Sequence, residues 1–228
     1  MDFDTFVLAA ATADLEDEPT AREAADAIEF RMDMADDPVQ SLEAYTGELP
    51  IIATNRPEWE GGSRADGTGR IEELTRAVEI DAVEAVDVEL GALLDEGPGD
   101  VSAAPVIRTA AEENTAVIAS FHDFDATPDL STLADVASRV CTLGTVGKLS
   151  VTATGPGDVL DVLRVTHEFT EAGQSIATMA MGEAGRHSRV IAPLYGSKIG
   201  YAPVDPKRAT APGQYDLESL SALIDALR

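Results

Sequence analysis

Ala27-Ile-Glu-Phe-Arg-Met-Asp33 alternates strictly, with Glu29, Arg31 and Asp33 on one side of an extended chain and Ile28, Phe30 and Met32 on the other. In a half-exposed antiparallel sheet the charged side would simply face water. The surrounding sequence argues for another setting. Short β-rich runs alternate with segments of helical period from end to end, the sequence form of repeated βα units. Eight units are counted, with strands expected at Phe6 to Ala10, Ala27 to Asp33, Pro50 to Asn55, Ala85 to Glu89, Thr115 to Ser120, Thr145 to Val151, Ser175 to Met181 and Lys198 to Ala202. Helical period fills the gaps, as in Ile71 to Val78, Leu130 to Val140, Asp158 to Glu171 and Asp216 to Leu227, the last with Asp216 as its N-cap. Eight units in series fit an α/β fold of the (β/α)8 TIM-barrel kind better than an open doubly wound sheet. In a barrel, the apolar side of Ala27 to Asp33 packs on outer helices. The charged side then looks inward, where ions must be paired or used, and a polar ligand site is expected there.

The chain of 228 residues suits one such barrel, read as a single catalytic domain over 1–228, and no linker or low-complexity segment interrupts the series. Its 44% hydrophobic content argues against disorder, and no apolar run approaches the roughly 20 residues of a membrane span. The formal charge is −26, from 42 acidic and 16 basic residues. Such a surface repels nucleic acid and anionic membranes, which excludes both as expected partners. It also repels itself at low salt, a load that molar internal salt screens, since the Debye length is only about 3 Å at 1 M. The balance is that of a halophile's protein. Patches such as Leu15-Glu-Asp-Glu18 and Ala35-Asp-Asp37 read as solvated surface, and no His/Cys/Asp/Glu cluster has metal-ligand spacing. The acidic start Met1-Asp-Phe-Asp-Thr5 is unlike a secretory n-region, and the single Cys141 cannot form an internal disulfide; a cytoplasmic location is expected.

Lys148 is one of three lysines and lies in the apolar run Gly144 to Thr152. A desolvated lysine is a usable amine nucleophile at neutral pH, and Lys198 and Lys207 have less buried contexts. The alternative, an ammonium snorkelling to water from a strand end, stays open at this point. His122, in Ala119-Ser-Phe-His-Asp-Phe124, falls at the carboxyl end of the fifth strand, where barrels collect active residues, and its ring suits acid/base work. His167 and His187 have helical surroundings that favour surface or packing roles. Two loops carry arginines able to fork a carboxylate, Asn55 to Gly62 after the third strand and Gly182 to Arg189 after the seventh; taken singly each arginine is better explained by a surface ion pair. Gly67-Thr-Gly69 lacks the third glycine of a dinucleotide loop.

Together these pieces resemble the type I 3-dehydroquinate dehydratases. In order they are Glu29-Phe-Arg31, Arg56 with Glu60-Gly-Gly62, Ser120-Phe-His122-Asp-Phe124 with Thr127-Pro128, and Gly147-Lys148. Met181-Gly182, Gly185, Ser188-Arg189 and Ala211-Pro-Gly-Gln214 complete the set. The resemblance implies a (β/α)8 fold, a homodimer without metal or organic cofactor, and conversion of 3-dehydroquinate to 3-dehydroshikimate on the shikimate pathway. It also implies roles. Lys148 forms an imine with the ketone, His122 moves protons, and Glu60 orients His122. Arg189 and Gln214 hold the substrate carboxylate, while Glu29, Arg31 and Arg56 bind ring hydroxyls and position the ketone. The loop Val204 to Gln214, which includes Thr210, closes over the site. Two departures bear on affinity: Thr210 stands where the family usually has serine, and Ala9-Ala-Ala11 where a first-strand serine is often found. A Schiff-base aldolase and a non-catalytic metabolite-binding protein are the competing classes. The first calls for phosphate-binding groups near the last strands, and the second has no use for Lys148 beside His122.

Overall fold

A computed structural model describes residues 1–98 and 101–227 of the chain. Its eight strands are β1 (Val7–Thr12), β2 (Ala27–Arg31), β3 (Ile51–Thr54), β4 (Val83–Glu89), β5 (Ala116–Asp123), β6 (Val146–Thr152), β7 (Ile176–Met181) and β8 (Ile199–Pro203). All neighbours are parallel, in the order β7-β6-β5-β4-β3-β2-β1-β8. The ring closes between β8 and β7 through two contacts at the base of β8. The Lys198 N–H donates to the Ile176 carbonyl at 2.8 Å, and the Thr178 N–H to the Ser197 hydroxyl at 3.0 Å. The expected (β/α)8 barrel is therefore the observed one. No helix among the described residues is long and apolar enough to cross a membrane.

The alternation of each strand sorts its side chains into an inner and an outer set. Outward residues such as Ile28, Phe30, Ile51, Val86 and Val88 form one layer against the helices of the first half, and Leu149, Val151, Ile176 and Ala180 form another in the second half. The helix Leu130–Leu143 shows why these segments are helical. Asp129 caps it by accepting from the Ser131 and Thr132 N–H groups, and Leu133, Val136, Ala137 and Val140 recur at helical spacing on its buried face. A buried leucine contributes about 1.5–3 kcal/mol, so Leu133→Asp would unseat the helix. Inward residues fill the barrel floor with Phe3, Val7, Ala9, Ala27, Ile52, Ala85, Ile118, Val146, Ala177, Ile199 and Tyr201. Polar residues occupy the next layers toward the carboxyl ends of the strands.

Two expectations are corrected. The alternation of the second strand was expected to run to Asp33, but β2 ends at Arg31 and Met32–Met34 form a 3-10 turn. Asp33 thus leaves the inner face and takes both Arg31 nitrogens, Nε at 2.8 Å and Nη2 at 2.7 Å, while accepting the Ser63 N–H at 3.0 Å. Glu18 is not solvated surface. It is only 1% exposed, and its carboxylate holds Arg22 at 2.8 to 2.9 Å and accepts the Glu48 and Leu49 N–H groups at 3.1 Å, tying the first helical turn to the loop before β3. Cys141 is half-buried on the helix that packs against β6, and burial pushes its thiol up to about 11, consistent with packing.

Candidate active site

The inward positions near the carboxyl ends of β2 to β6 are polar on every strand: Glu29 and Arg31, Thr54, Asp87 and Glu89, Ser120 and His122, Lys148 and Ser150. One cavity brings all the expected site residues together. Glu29, Arg31, Arg56, Glu60, His122, Lys148, Arg189, Thr210 and Gln214 all line it. None of the nine is left outside.

Lys148 is 3% exposed, but its ammonium does not lie among apolar groups as the run around it suggested. Strand alternation turns Leu149 and Val151 outward to the helices and Lys148 inward. There Nζ donates to Asp87 Oδ2 at 2.8 Å, lies 3.9 Å from Glu29 Oε1, and sits over the Tyr201 ring at 4.2 Å from its centroid. Asp87 also accepts from the Ser120 hydroxyl at 2.6 Å and pairs with Arg56 Nη2 at 2.9 Å. Burial opposes the charge on Asp87, but Arg56 and Lys148 outweigh it and hold this carboxyl well below the usual range.

Arg56 is committed to the protein's own groups. Its Nη1 donates to Glu89 Oε1 at 3.1 Å and to Ser120 Oγ at 2.7 Å, and approaches Glu60 Oε2 at 3.6 Å. Glu89 completes its pairing with Arg70, which reaches in from the helix Thr68–Val78 at 2.9 Å. A buried network of this kind is rigid when its groups hold one another, and here Arg56, Arg70 and Lys148 grip Asp87 and Glu89 between them, with Glu60 and Glu29 farther off at 3.6 and 3.9 Å.

His122 Nδ1 and Glu60 Oε2 are 2.8 Å apart, and both side chains are nearly buried. Burial pushes the Glu60 carboxyl well up, with Glu89 and Asp87 adding to it against Arg56 and Lys148. Burial likewise lowers His122 well below its ordinary value, helped by the Arg56 and Lys148 cations. Burial thus disfavours the charged form of each partner in this contact. The Glu60-Gly-Gly sequence has a steric reason. Gly61 takes a left-handed φ of 76° to end the turn Glu58–Glu60, and a Cβ there would meet the Phe124 ring, which stacks on His122 with centroids 6.1 Å apart. A Cβ on Gly62 would collide with the Arg56 carbonyl.

Arg189 differs from the other cations in the cavity. It is 4% exposed, no carboxylate pairs with it among the described residues, and its buried Nε has no hydrogen-bond partner. Burial lowers it to about 10, so it remains a cation at neutral pH. One Nη2 contact, to the Pro212 carbonyl at 3.4 Å, joins it to the loop that carries Gln214. Gln214 organises that loop from within, its Oε1 accepting the N–H groups of Thr210 at 2.8 Å and Ala211 at 3.1 Å. A buried guanidinium without a counter-ion is a built place for an anion that arrives with a ligand.

Sequence reasoning missed Asp87, Glu89, Arg70 and Tyr201, and took Ser120 only as part of the Ser120-Phe-His122 motif, without a role. Asp87 and Glu89 carried a usable signal, since Ala85-Val-Asp-Val-Glu89 repeats the inward-charge alternation of the second strand. Arg70 carried none, because it enters from a helix.

A profile of the type I 3-dehydroquinase family matches residues 6–228. The chain is 54% identical to the 3-dehydroquinate dehydratase of Haloarcula marismortui over 228 residues, covering 100% of this chain and 99% of that one. It is 51% identical to that of Halobacterium salinarum over 228 residues, with 100% of each chain covered. Among solved structures, the 3-dehydroquinate dehydratase of Geobacillus kaustophilus superposes with a TM-score of 0.82 at 26% identity, covering 98% of this chain and 91% of that one.

Proposed function

The chain belongs to the type I 3-dehydroquinase family and is a carbon–oxygen lyase of the shikimate pathway acting on 3-dehydroquinate; we propose that it works through an imine on Lys148. What carries this reading is one cavity holding a buried lysine, a His–Glu pair and an arginine with no counter-ion of its own.

In the proposed scheme Arg189 takes the substrate carboxylate and Gln214 keeps the loop over it. Nζ of Lys148, having passed a proton to His122, adds to the ketone carbon, and the oxygen takes one proton from the nitrogen and that one back from His122 and leaves as water, giving a protonated imine. That cation is an electron sink. His122 Nε2 removes the neighbouring C2 proton, the electron pair moves into an enamine, and the enamine expels the C1 hydroxyl, which takes a proton from the same ring and departs as water. Water then adds back to the imine, releasing product and returning Lys148 to its amine, so the net change is loss of one water. Asp87, held ionised by Arg56, offsets the positive charge of the Lys148 ammonium and of each protonated imine. Glu60 keeps His122 in the tautomer whose Nε2 is free. With Arg56 and Arg31 engaged by carboxylates of the protein, Arg56 serves chiefly by holding Asp87, Glu89 and Glu60 in place, and Glu29 and Arg31 present the polar wall for the ring hydroxyls. The resemblance also supports a cytoplasmic homodimer needing no cofactor, and sedimentation in molar salt tests the oligomer.

Borohydride added during turnover of 3-dehydroquinate should trap a reduced adduct on Lys148 and inactivate the enzyme, and Lys148→Ala should bind substrate without converting it. An active, borohydride-treated sample whose Lys148 is unmodified in peptide mass spectra would overturn the mechanism.

A further inference from the structure

Tyr201 stands in the same cavity, yet the scheme above gives it no part. On β8 it faces the barrel interior and is 4% exposed. Its register partner on β1 is Ala9, which faces the same interior layer, and the small methyl leaves space for the ring. The ring face lies against Nζ of Lys148. The hydroxyl, however, is buried and has no hydrogen-bond partner among the described residues. A phenylalanine would fill the same place without that penalty, since a buried hydroxyl with no partner destabilises the fold. The hydroxyl end also feels Glu29, Asp87 and Arg56, which puts it on the charged side of the cavity. Burial, followed by Glu29 and Asp87, raises the phenol well above its ordinary value, so it is an O–H donor at any working pH.

A buried donor that faces a binding cavity and lacks an acceptor is completed by an acceptor that comes with the ligand. We propose that Tyr201 is a specificity-determining residue whose hydroxyl donates a hydrogen bond to the ketone oxygen of the bound substrate. The inference rests on the reaction assigned above. Among the substrate's oxygens the ketone oxygen is the one fixed nearest to the ring, because it is one bond from the carbon that Nζ must reach and Nζ lies over that ring. The other strong acceptor, the carboxylate, has Arg189. The bond would select a ligand with oxygen at that carbon and would hold the carbonyl while Nζ approaches.

Tyr201→Phe removes only the hydroxyl and keeps the packing and the contact with Lys148. The expected result is a roughly fivefold to tenfold loss in kcat/KM for 3-dehydroquinate, with a melting temperature equal to or above that of the wild type. Two inhibitors sharpen the test, the alcohol formed by reducing the ketone and the methylene compound with no oxygen at that carbon. The variant should bind the alcohol several-fold more weakly than the wild type does and the methylene compound equally well. Unchanged kinetics, or equal losses for both inhibitors, would overturn the role given to Tyr201 while the wild-type enzyme still turns over. A lower melting temperature with unchanged inhibitor binding would do the same, making the hydroxyl structural. A wild-type protein inactive on 3-dehydroquinate would instead overturn the reaction itself.

Discussion

His122 and Glu60 are best understood together, because they lie 2.8 Å apart and burial disfavours the charged form of each. With His122 lowered, the imidazole stays available as a base well below pH 6.5, and with Glu60 raised, the pair takes up its proton above the range of an ordinary carboxylic acid. His122→Ala should therefore cost the roughly 10² to 10⁴ in kcat that a positioned acid/base group contributes, and imine intermediates should accumulate because their hydrolysis loses its proton shuttle. Glu60→Gln should be milder. Without a carboxylate to share it, the proton must reside on an imidazole disfavoured by burial, Arg56 and Lys148, so the acid limb of kcat/KM moves to lower pH. A pH profile that does not move would take Glu60 out of the mechanism. Arg189 gives the opposite signature. As a buried cation with no carboxylate partner it costs stability, so Arg189→Met should raise the melting temperature while raising KM about 10- to 100-fold, the loss expected for a charge-assisted fork. Thermal scans and steady-state kinetics on one preparation decide whether both changes occur together.

At the scale of elements, the loop between β8 and the last helix should behave as a unit latched by one side chain. Gln214 Oε1 gathers the Thr210 and Ala211 N–H groups, Gly182 N–H donates to the Pro212 carbonyl at 3.2 Å, and Arg186 lies over the Tyr215 ring at 4.0 Å. Gln214→Ala should lower kcat/KM by about tenfold or more and leave the melting temperature nearly unchanged, because the side-chain hydrogen bonds of Gln214 stay within the loop. The exposed Lys207 and Arg208 beside it give a second measure. Trypsin should cut there faster in the variant, and added product should slow cutting of the wild type but not of Gln214→Ala. What could be read from the sequence follows the same division. Strands were legible because a barrel strand buried on both faces still alternates between helix-facing aliphatics and an inner face, and all eight expected strands match observed ones to within a few residues. The end of β2 was not legible, since Met32 and Asp33 continue the alternation in sequence while the backbone turns. His122, Glu60 and Lys148 were found through motif and strand-end position. Asp87 was not, although Ala85-Val-Asp-Val-Glu89 alternates as the second strand does, and the partner that defines Lys148 was missed with it.

Over the whole molecule the decisive distinction is between charges inside the barrel and charges on its surface. Apart from Arg189, the inner cations are paired with carboxylates at 2.7 to 3.1 Å, Arg31 with Asp33, Lys148 with Asp87, Arg56 with Asp87 and Glu89, and Arg70 with Glu89. Little solvent reaches them and salt screens them weakly. The excess that makes the net charge −26 therefore lies mostly outside, at positions such as Glu16, Asp36, Asp37 and Glu112, where like charges repel across water. Raising monovalent salt from about 0.1 M toward 1 M shortens the Debye length from about 10 Å to about 3 Å, which removes the repulsion between surface acids but not the attraction within the site. Two results should follow from that separation. The melting temperature should climb steadily over the range, and the pH values of the two limbs of kcat/KM should stay fixed while it climbs. A melting temperature that is flat or falls with salt would contradict the first, and limbs that drift with salt would show that the His122–Glu60 pair is exposed to the same screening as the surface.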